Sequence, residues 1–255
     1  MKKILLLTLA LVFLSAAQLS LAKSSRYSEY YGTGLCSKPG YHCIKVKRGG
    51  WKKAFPDPIQ RDIVQRVNRT NMRLWRGKKI AVPDHLGTLT LHDVSPFPLK
   101  IAKRPNKLII VDQDKLAWGA YDTKGHLLKW GPISSGKDYC GDIGRGCRTQ
   151  TGAFYVFNKK GKGCESNIFP IGRGGANMPY CMFFYRGFAL HGSAEVPGYR
   201  ASHGCIRLFT RDAEWLNRSF VRVKNLDSVT GTKVVIMDIK NAGGKKHAKK
   251  RRRSR

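Results

Sequence analysis

Short hydrophobic runs, separated by glycine, proline and polar residues, fill the chain from Asn106 onward. These runs are rich in β-branched and aromatic residues, which favour strands over helices. Seven strands are predicted in this way, at residues 107–112, 116–122, 127–134, 152–159, 181–185, 188–191 and 232–237. Many short strands with few helical periods predict a mainly β fold, built as a β-sandwich or a partly open barrel.

One short helix is predicted within this β-rich region, immediately after the segment 202–207. Thr210 is expected to cap its N-terminus, because a threonine hydroxyl can accept a hydrogen bond from the first turn. Asp212 and Glu214 suit the positive end of the helix. The residues expected to face the core are Ala213, Trp215 and Leu216.

The first residues of the chain have a different pattern. Two lysines precede an apolar run from Ile4 to Leu14, and small residues at Ser20 and Ala22 offer a cleavage site. This arrangement predicts a secretory signal peptide over residues 1–22. The apolar run is too short for a membrane span. We therefore expect an exported protein, either periplasmic or secreted.

A compact unit is predicted over residues 41–84, before a boundary rich in proline at residues 84–105. Residues 44–47 and 79–83 have the composition of strands. Between them, apolar residues recur at helical spacing, while two prolines shorten the first helical stretch. The apolar residues of that helical middle are Ile59, Ile63, Val64 and Val67. The predicted order is strand, helical middle, strand.

This unit resembles a LysM module, a small α+β fold that binds the N-acetylglucosamine-containing backbone of peptidoglycan or chitin. The resemblance covers about forty residues and rests on segments 46–49 and 76–83 and on Asn68. It departs from the family pattern at positions 50 and 51, where an acidic residue and a hydroxyl are usual. The aromatic residues that either stack on sugars or belong to the core are Trp51, Phe55 and Trp75;.

Positive charge extends along the whole chain, which has a formal net charge of +32. This charge favours acidic partners such as cell-wall polymers, anionic lipid headgroups or nucleic acid. Residues 240–255 contain nine basic residues and no acid, and we expect them to form a disordered tail;. The tail is either an electrostatic tether to anionic lipid or wall polymer, or a solvated segment. It lacks interleaved aromatics, so no specific nucleic-acid recognition is expected.

Seven cysteines are present, which in an exported protein predicts disulfides;. Setting Cys205 aside leaves six, for which about fifteen pairings are possible. Two pairs enclose loops of similar length, Cys36 with Cys43 and Cys140 with Cys147. We hypothesise that these are local disulfides, which leaves Cys164 to pair with Cys181.

Cys205 lies in the segment Ser202-His203-Gly204-Cys205-Ile206-Arg207, and a second histidine, His191, precedes Gly192 upstream. A thiol with a pKa of roughly 8.5 is mostly protonated at neutral pH, so a nucleophilic cysteine needs a base beside it. Glycines free the backbone around both side chains. The pattern predicts a cysteine acyltransferase.

Residues 107–239 resemble the catalytic domain of L,D-transpeptidases of the YkuD family, the penicillin-independent enzymes that cross-link the cell wall. The segments that carry the resemblance, in the order of the family, are 108–112, 134–137, 151–154, 178–184 and 202–207. Together with the LysM-like unit in front, the chain is similar to secreted enhanced-entry proteins.

The resemblance implies Cys205 as nucleophile and His191 as proton donor and acceptor, with the Gly192 carbonyl orienting the imidazole. The backbone amides near Gly204 and Cys205 are expected to bind the oxyanion. His203 is expected to give supporting hydrogen bonds.

Two further motif residues are assigned to substrate binding, Ser202 and Arg207. For Arg207 two roles remain open, because a guanidinium either binds a substrate carboxylate or anchors the loop through a neighbouring carbonyl.

The implied reaction begins with attack on a donor stem peptide of peptidoglycan, which releases D-alanine and leaves a thioester. An amine then accepts the acyl group, from a second stem peptide or from a protein such as an outer-membrane protein. Water as acceptor gives an L,D-carboxypeptidase. The partners expected are therefore stem peptides and glycan strands of peptidoglycan.

Two other functions compete with this one. His191, His203 and Cys205 offer the ligand types that zinc prefers, but their spacing matches no metal motif, so no metal or other cofactor is expected. A non-catalytic wall-binding or secreted interaction protein is the second alternative. The presence of Cys205, His191 and the adjoining glycines argues against it.

Overall fold

The computed structural model of the chain describes residues 28–166, 176–223 and 231–239. The predicted signal peptide at 1–22 and the basic tail at 240–255 lie outside these residues. Within the described ranges, no helix combines the length and the apolar character needed to cross a membrane.

The small N-terminal unit has the predicted order of elements. After a 3₁₀ turn at Gly32–Ser37, its elements are β1 (Tyr41–Lys45), α1 (Trp51–Ala54), α2 (Pro58–Val67) and β2 (Lys79–Pro83). The two strands pair antiparallel. Helix α2 begins with a proline in its first turn and with Asp57 as its N-cap, whose side chain accepts a hydrogen bond from the Gln60 N–H at 2.8 Å;.

The remaining strands form one mixed sheet. They are β3 (Leu108–Asp112), β4 (Ala117–Tyr121), β5 (Leu127–Ser134), β6 (Gly152–Tyr155), β7 (Asn158–Lys159), β8 (Met182–Tyr185), β9 (Phe188–Ser193), β10 (Ile206–Phe209) and β11 (Lys233–Ile236). Their order across the sheet is β6-β11-β3-β4-β5-β10-β9-β8-β7. Strand β10 runs parallel to β9, and β11 parallel to β3, while the other pairs are antiparallel. The predicted mainly β class is confirmed.

The sheet curls so that its two ends meet. Phe154 on β6 lies with its ring centroid 5.4 Å from Phe184 and 5.1 Å from Tyr185, both on β8. These strands stand far apart in the sheet order, so only a strongly curved sheet can bring them together. The hydrophobic core lies inside this curl and is covered by helix α3 (Thr210–Trp215), which continues as one π-helical turn at Leu216–Phe220.

Strand β10 was not among the predicted strands, and it changes the start of the helix. The helix was expected to follow residue 207 directly, but the chain stays extended to Phe209 because Ile206 and Leu208 are buried in the core. Phe209 is the N-cap residue, and no side chain caps the helix, so Thr210 does not have the expected role.

All three predicted disulfides are confirmed: Cys36–Cys43, Cys140–Cys147 and Cys164–Cys181. Cys205 is the one free cysteine of the described residues.

The small unit is joined to the large sheet by a buried ion pair. Arg66 of α2 donates to both carboxylate oxygens of Asp212 on α3, each at 2.8 Å, and to the Trp130 carbonyl at 2.6 Å. Burial acts to lower the pKa of Arg66, but Asp212 and Asp62 outweigh it and raise that pKa above the ordinary arginine value. Removing one partner would leave the other charge buried and uncompensated, which typically costs about 3–5 kcal/mol.

The predicted boundary at residues 84–105 is also part of a shared core. Val94 and Phe97 are buried together with Ile63 of the small unit and Trp130 of the large sheet. The aromatic residues of the small unit were expected either to belong to the core or to stack on sugars. Phe55 is buried in the core, whereas Trp75 is 54% exposed.

Candidate active site

The predicted catalytic residues meet where β9 and β10 run side by side. In this parallel pair, Arg207 lies opposite His191 and Ile206 opposite Leu190. Cys205 immediately precedes β10, so strand alternation directs its side chain to the face that carries His191 and Arg207. The 12 residues 194–205, which end with Cys205, form the connection between the two strands.

Burial alternates along the segment that leads into β10. His203, Cys205 and Arg207 are partly accessible, whereas Ser202 and Gly204 are buried. Cys205 is therefore partly exposed, while Gly204 and Ile206 on either side of it are buried.

His191 is held as a neutral imidazole. Its Nδ1 lies 2.9 Å from the Gly192 carbonyl oxygen, which can only accept a hydrogen bond, so Nδ1 carries the proton;. Burial lowers the pKa of His191 to about 4, against which the Gly192 hydrogen bond acts;. Nε2 thus keeps its lone pair at neutral pH, as a general base requires.

Cys205 is held as a neutral thiol. Its Sγ donates to the Gly187 carbonyl at 3.6 Å. Burial raises the pKa of Cys205, and the backbone N–H of Ala189 and the charge of Arg207 only partly oppose this. With a raised thiol pKa and a lowered imidazole pKa, the resting pair is uncharged, so the proton must move as the sulfur attacks.

Glycine is required at two positions beside these residues. A Cβ on Gly192 would lie 3.0 Å from Thr210 Cα and 3.1 Å from the Pro179 carbonyl. Gly204 has a φ of +123°, and a Cβ there would lie 2.8 Å from the Phe188 ring;. Both glycines let the backbone approach its neighbours closely.

Ser202 and Gly204 bind each other rather than the substrate. The Gly204 N–H, expected to face the oxyanion, donates to Ser202 Oγ at 3.0 Å. The Ser202 hydroxyl in turn donates to the Cys205 carbonyl, and only 2% of Ser202 is exposed. Buried polar groups need such partners. Both expectations are therefore corrected: Ser202 closes the loop, and the Gly204 amide is already hydrogen bonded.

Arg207 is anchored to the connection between the strands. Its Nη1 donates to the Glu195 carbonyl at 3.3 Å and lies 3.5 Å from the exposed carboxylate of that residue. Of the two roles left open by the sequence, loop anchoring is the one with a contact in the structure.

His203 has a carboxylate partner that sequence reasoning missed. Its Nε2 lies 2.6 Å from Asp142 Oδ2, in the loop closed by the Cys140–Cys147 disulfide. A second missed residue is Thr149, whose hydroxyl donates to the Gly204 carbonyl at 2.7 Å. The only sequence signal for Asp142 was its place between two cysteines predicted to form a disulfide, and this place does not indicate which residue it contacts.

The three zinc ligands considered from the sequence, His191, His203 and Cys205, do not form a cluster in the structure. Among the described residues, one group of three possible ligands lies within 4.8 Å, namely Cys140, Asp142 and His203. It includes neither His191 nor Cys205, and the sulfur of Cys140 is bonded to Cys147.

Comparison with models of known protein families assigns the chain to one family. The model of the L,D-transpeptidase catalytic domain, YkuD, matches residues 106–236, slightly more than half of the chain. No curated protein matches the chain in sequence.

Solved L,D-transpeptidases give distant matches. One from Xylanimonas cellulosilytica is 25% identical over 69% of this chain and 78% of that chain, with a TM-score of 0.48. An Enterococcus faecium enzyme with a cysteine replaced by serine is 23% identical over 59% and 54%, with a TM-score of 0.40. A third, in complex with imipenem, is 18% identical over 51% and 58%, with a TM-score of 0.40. The match of the family model alone is sufficient: the chain belongs to the YkuD family of peptidoglycan L,D-transpeptidases.

Proposed function

We propose that the protein acts as an L,D-transpeptidase through a thioester on Cys205, with His191 as the only base in the catalytic cycle. The observation that carries this proposal is the parallel register of β9 and β10, which puts Cys205 on the face that carries the buried imidazole of His191, whose Nδ1 is fixed by Gly192;. An uncharged pair of this kind favours attack on an amide that is already bound, because the thiolate forms only as the new bond is made.

The first half of the reaction is acyl transfer to the enzyme. Cys205 attacks the carbonyl between the third-position diacid and the terminal D-alanine of a donor stem peptide, while His191 Nε2 takes the thiol proton. The imidazolium then gives this proton to the departing D-alanine amine. The thioester remains on Cys205, and His191 is neutral again.

The second half returns the enzyme to its starting state. An acceptor amine attacks the thioester and gives a proton to His191, and Cys205 recovers that proton as it leaves. Because Gly204 N–H is bound to Ser202, the donor that we assign to the oxyanion is the backbone N–H of Cys205;.

A pocket beside the thiol offers room for the donor peptide. It has a volume of about 260 Å³ and includes Gly187, whose carbonyl contacts Cys205 Sγ. Phe157 and Phe183 give it an apolar wall, and Arg186 supplies a positive charge. A cation there suits the free carboxylates of a stem peptide.

Product analysis with a purified disaccharide-tetrapeptide tests this function. We expect free D-alanine together with dimers joined through the third residues of two stems. Tripeptide alone would identify water as the acceptor and the enzyme as an L,D-carboxypeptidase. Adding an amine-bearing outer-membrane protein and looking for its attachment to the stem tests protein anchoring. The absence of D-alanine release under all conditions would contradict the proposal and favour a non-catalytic wall-binding protein.

We also propose that the small unit binds the glycan strand of peptidoglycan. A groove of about 440 Å³ runs between this unit and the connection from β9 to Cys205. Trp75 and Tyr199 line it and are 54% and 63% exposed, and Lys78 Nζ lies 4.6 Å from the Trp75 ring centroid. Exposed aromatic faces suit the faces of sugar rings, and cations beside them suit the carboxylates of the attached stem peptides. Action on peptidoglycan, together with three disulfides, supports a periplasmic or secreted location;.

Replacing Trp75 by alanine should weaken binding to purified peptidoglycan about tenfold, because exposed aromatic anchors dominate such contacts. Binding is measured by sedimentation at about 1 M salt, where the attraction of this basic chain to acidic polymers is screened. Ile59→Ala is the matched control, since Ile59 is 65% exposed in the same unit but does not line the groove. Equal retention of the Trp75 variant would contradict glycan binding at this groove.

A further inference from the structure

The loop closed by the Cys140–Cys147 disulfide lies against the segment that carries the nucleophile. Asp142 projects from this loop, and its Oδ2 is 2.6 Å from His203 Nε2, two residues before Cys205. Asp142 is separated from His203 by 61 residues in sequence, so the contact depends on the fold. The proposed mechanism uses neither the loop nor Asp142.

The disulfide loop is internally ordered. The Cys140 N–H donates to the Arg145 carbonyl at 2.9 Å, and the Ile143 N–H to the Cys140 carbonyl at 3.3 Å. The disulfide closes the ends of this turn. A carboxylate on a closed turn keeps its position without the loss of freedom that two long surface side chains incur when they pair.

The chain on either side of the disulfide loop is also attached to the nucleophile segment. Before the loop, both carboxylate oxygens of Asp138 accept from Arg200 at 2.9 Å. After it, the Thr149 hydroxyl donates to the Gly204 carbonyl at 2.7 Å and accepts from the Gly136 N–H at 2.9 Å. The backbone before Cys205 is therefore held at several points from one direction.

We propose that Asp142 is a positioning residue for the acylation step: its hydrogen bond to His203 fixes the backbone from His203 to Cys205, and the Cys140–Cys147 disulfide holds Asp142 in place. This rests on the proposed function of Cys205. A turn of the His203 backbone would rotate the Cys205 N–H away from the oxyanion and move Sγ relative to His191. Small displacements of reacting groups have large effects on rate.

The direct test compares Asp142→Asn with the wild-type protein in D-alanine release from a tetrapeptide donor. We expect kcat to fall about tenfold with KM unchanged, since a charge-assisted hydrogen bond is lost outside the donor pocket. Asp84→Asn is the matched control, because Asp84 is also exposed and lies 2.7 Å from the Nδ1 of His42 in the small unit. That variant should keep the wild-type kcat.

A spectroscopic measurement separates positioning from general destabilisation. With ¹⁵N-labelled histidine, Asp142→Asn should shift the imidazole nitrogen signals of His203 and leave the His42 signals unchanged, while Asp84→Asn should do the reverse. The thermal midpoint should be the same for both variants, because the side chains of both aspartates are about half exposed. An unchanged kcat for Asp142→Asn, or a loss that appears in KM alone, would overturn the proposal.

The contribution of the disulfide is measured in a double-mutant cycle. The Cys140→Ser/Cys147→Ser variant should lose a similar factor in kcat, and adding Asp142→Asn to it should cost little more. Independent, multiplying losses would show that the disulfide does not act through Asp142. If the wild-type protein releases no D-alanine, the proposed function itself fails, whereas an active wild type with an equally active Asp142→Asn variant contradicts this inference alone.

Discussion

Replacing Cys205 by serine should abolish thioester formation and leave the fold unchanged. The substitution exchanges one atom, and Cys205 Sγ makes only weak hydrogen bonds, with the Gly187 carbonyl and the Ala189 N–H. A serine hydroxyl is far less acidic than a thiol, and an imidazole with a pKa of about 4 is a weak base for it;. We expect D-alanine release to fall at least about a thousandfold, within the range known for loss of a nucleophile.

The control for this variant is binding to peptidoglycan together with circular dichroism, both of which should match the wild-type protein. Activity close to that of the wild type would contradict the assignment of Cys205 as nucleophile. Loss of both activity and glycan binding would indicate misfolding, and Cys205→Ala, which removes the sulfur without adding a hydroxyl, would then take the place of the serine variant.

Replacing His191 by alanine should lower kcat for D-alanine release at least about a hundredfold, the lower end of general-base contributions. Nδ1 of His191 is fixed by the Gly192 carbonyl, which leaves Nε2 to accept a proton on the face of the strand pair that carries Cys205;. His203→Ala serves as the comparison and should be less damaging, because His203 is directed to Asp142. A mere twofold loss in His191→Ala would transfer the base role to His203.

The pH dependence follows from the same histidine. A general base works in its neutral form, and the pKa of His191 is lowered to about 4 by burial. The wild-type kcat/KM should therefore hold as pH falls from 7 to about 5 and decline only nearer to 4, rather than near the ordinary histidine value of about 6.5. Between these values the unfolded chain binds the proton first, so folding stability falls as pH decreases from about 6.5 to 4. Initial rates measured after only a brief exposure of the protein to acid avoid this loss of folded enzyme.

The strands and the disulfides could be predicted because they depend on local patterns. Runs such as Leu108–Asp112 are dense in β-branched residues, and the loops of Cys36–Cys43 and Cys140–Cys147 are short. The alternation of Ile206, Arg207 and Leu208 is the same kind of signal for β10. This strand has only four residues and overlaps the catalytic motif, so the sequence alone did not identify it.

The rest of the site depends on contacts between distant segments. The resemblance implied His191 and Gly192, but the register that places Arg207 opposite His191 is set by a parallel pairing that no local pattern specifies. Asp142 meets His203 only because the disulfide loop folds against the motif. Likewise, Arg66 has the sequence context of a helix surface, and only the carboxylate of Asp212, 146 residues later, explains its burial.

Covalent labelling with a carbapenem tests the central claim most directly, because an activated nucleophile opens the β-lactam ring and stays bound to it as an acyl adduct. The carbapenem used is imipenem. We expect intact-mass spectrometry to show one adduct per chain, mapped by proteolysis to Cys205, absent from Cys205→Ser, and formed with all three disulfides intact. No mass increase in the wild-type protein, or an adduct that persists in Cys205→Ser, would contradict a catalytic thioester at Cys205.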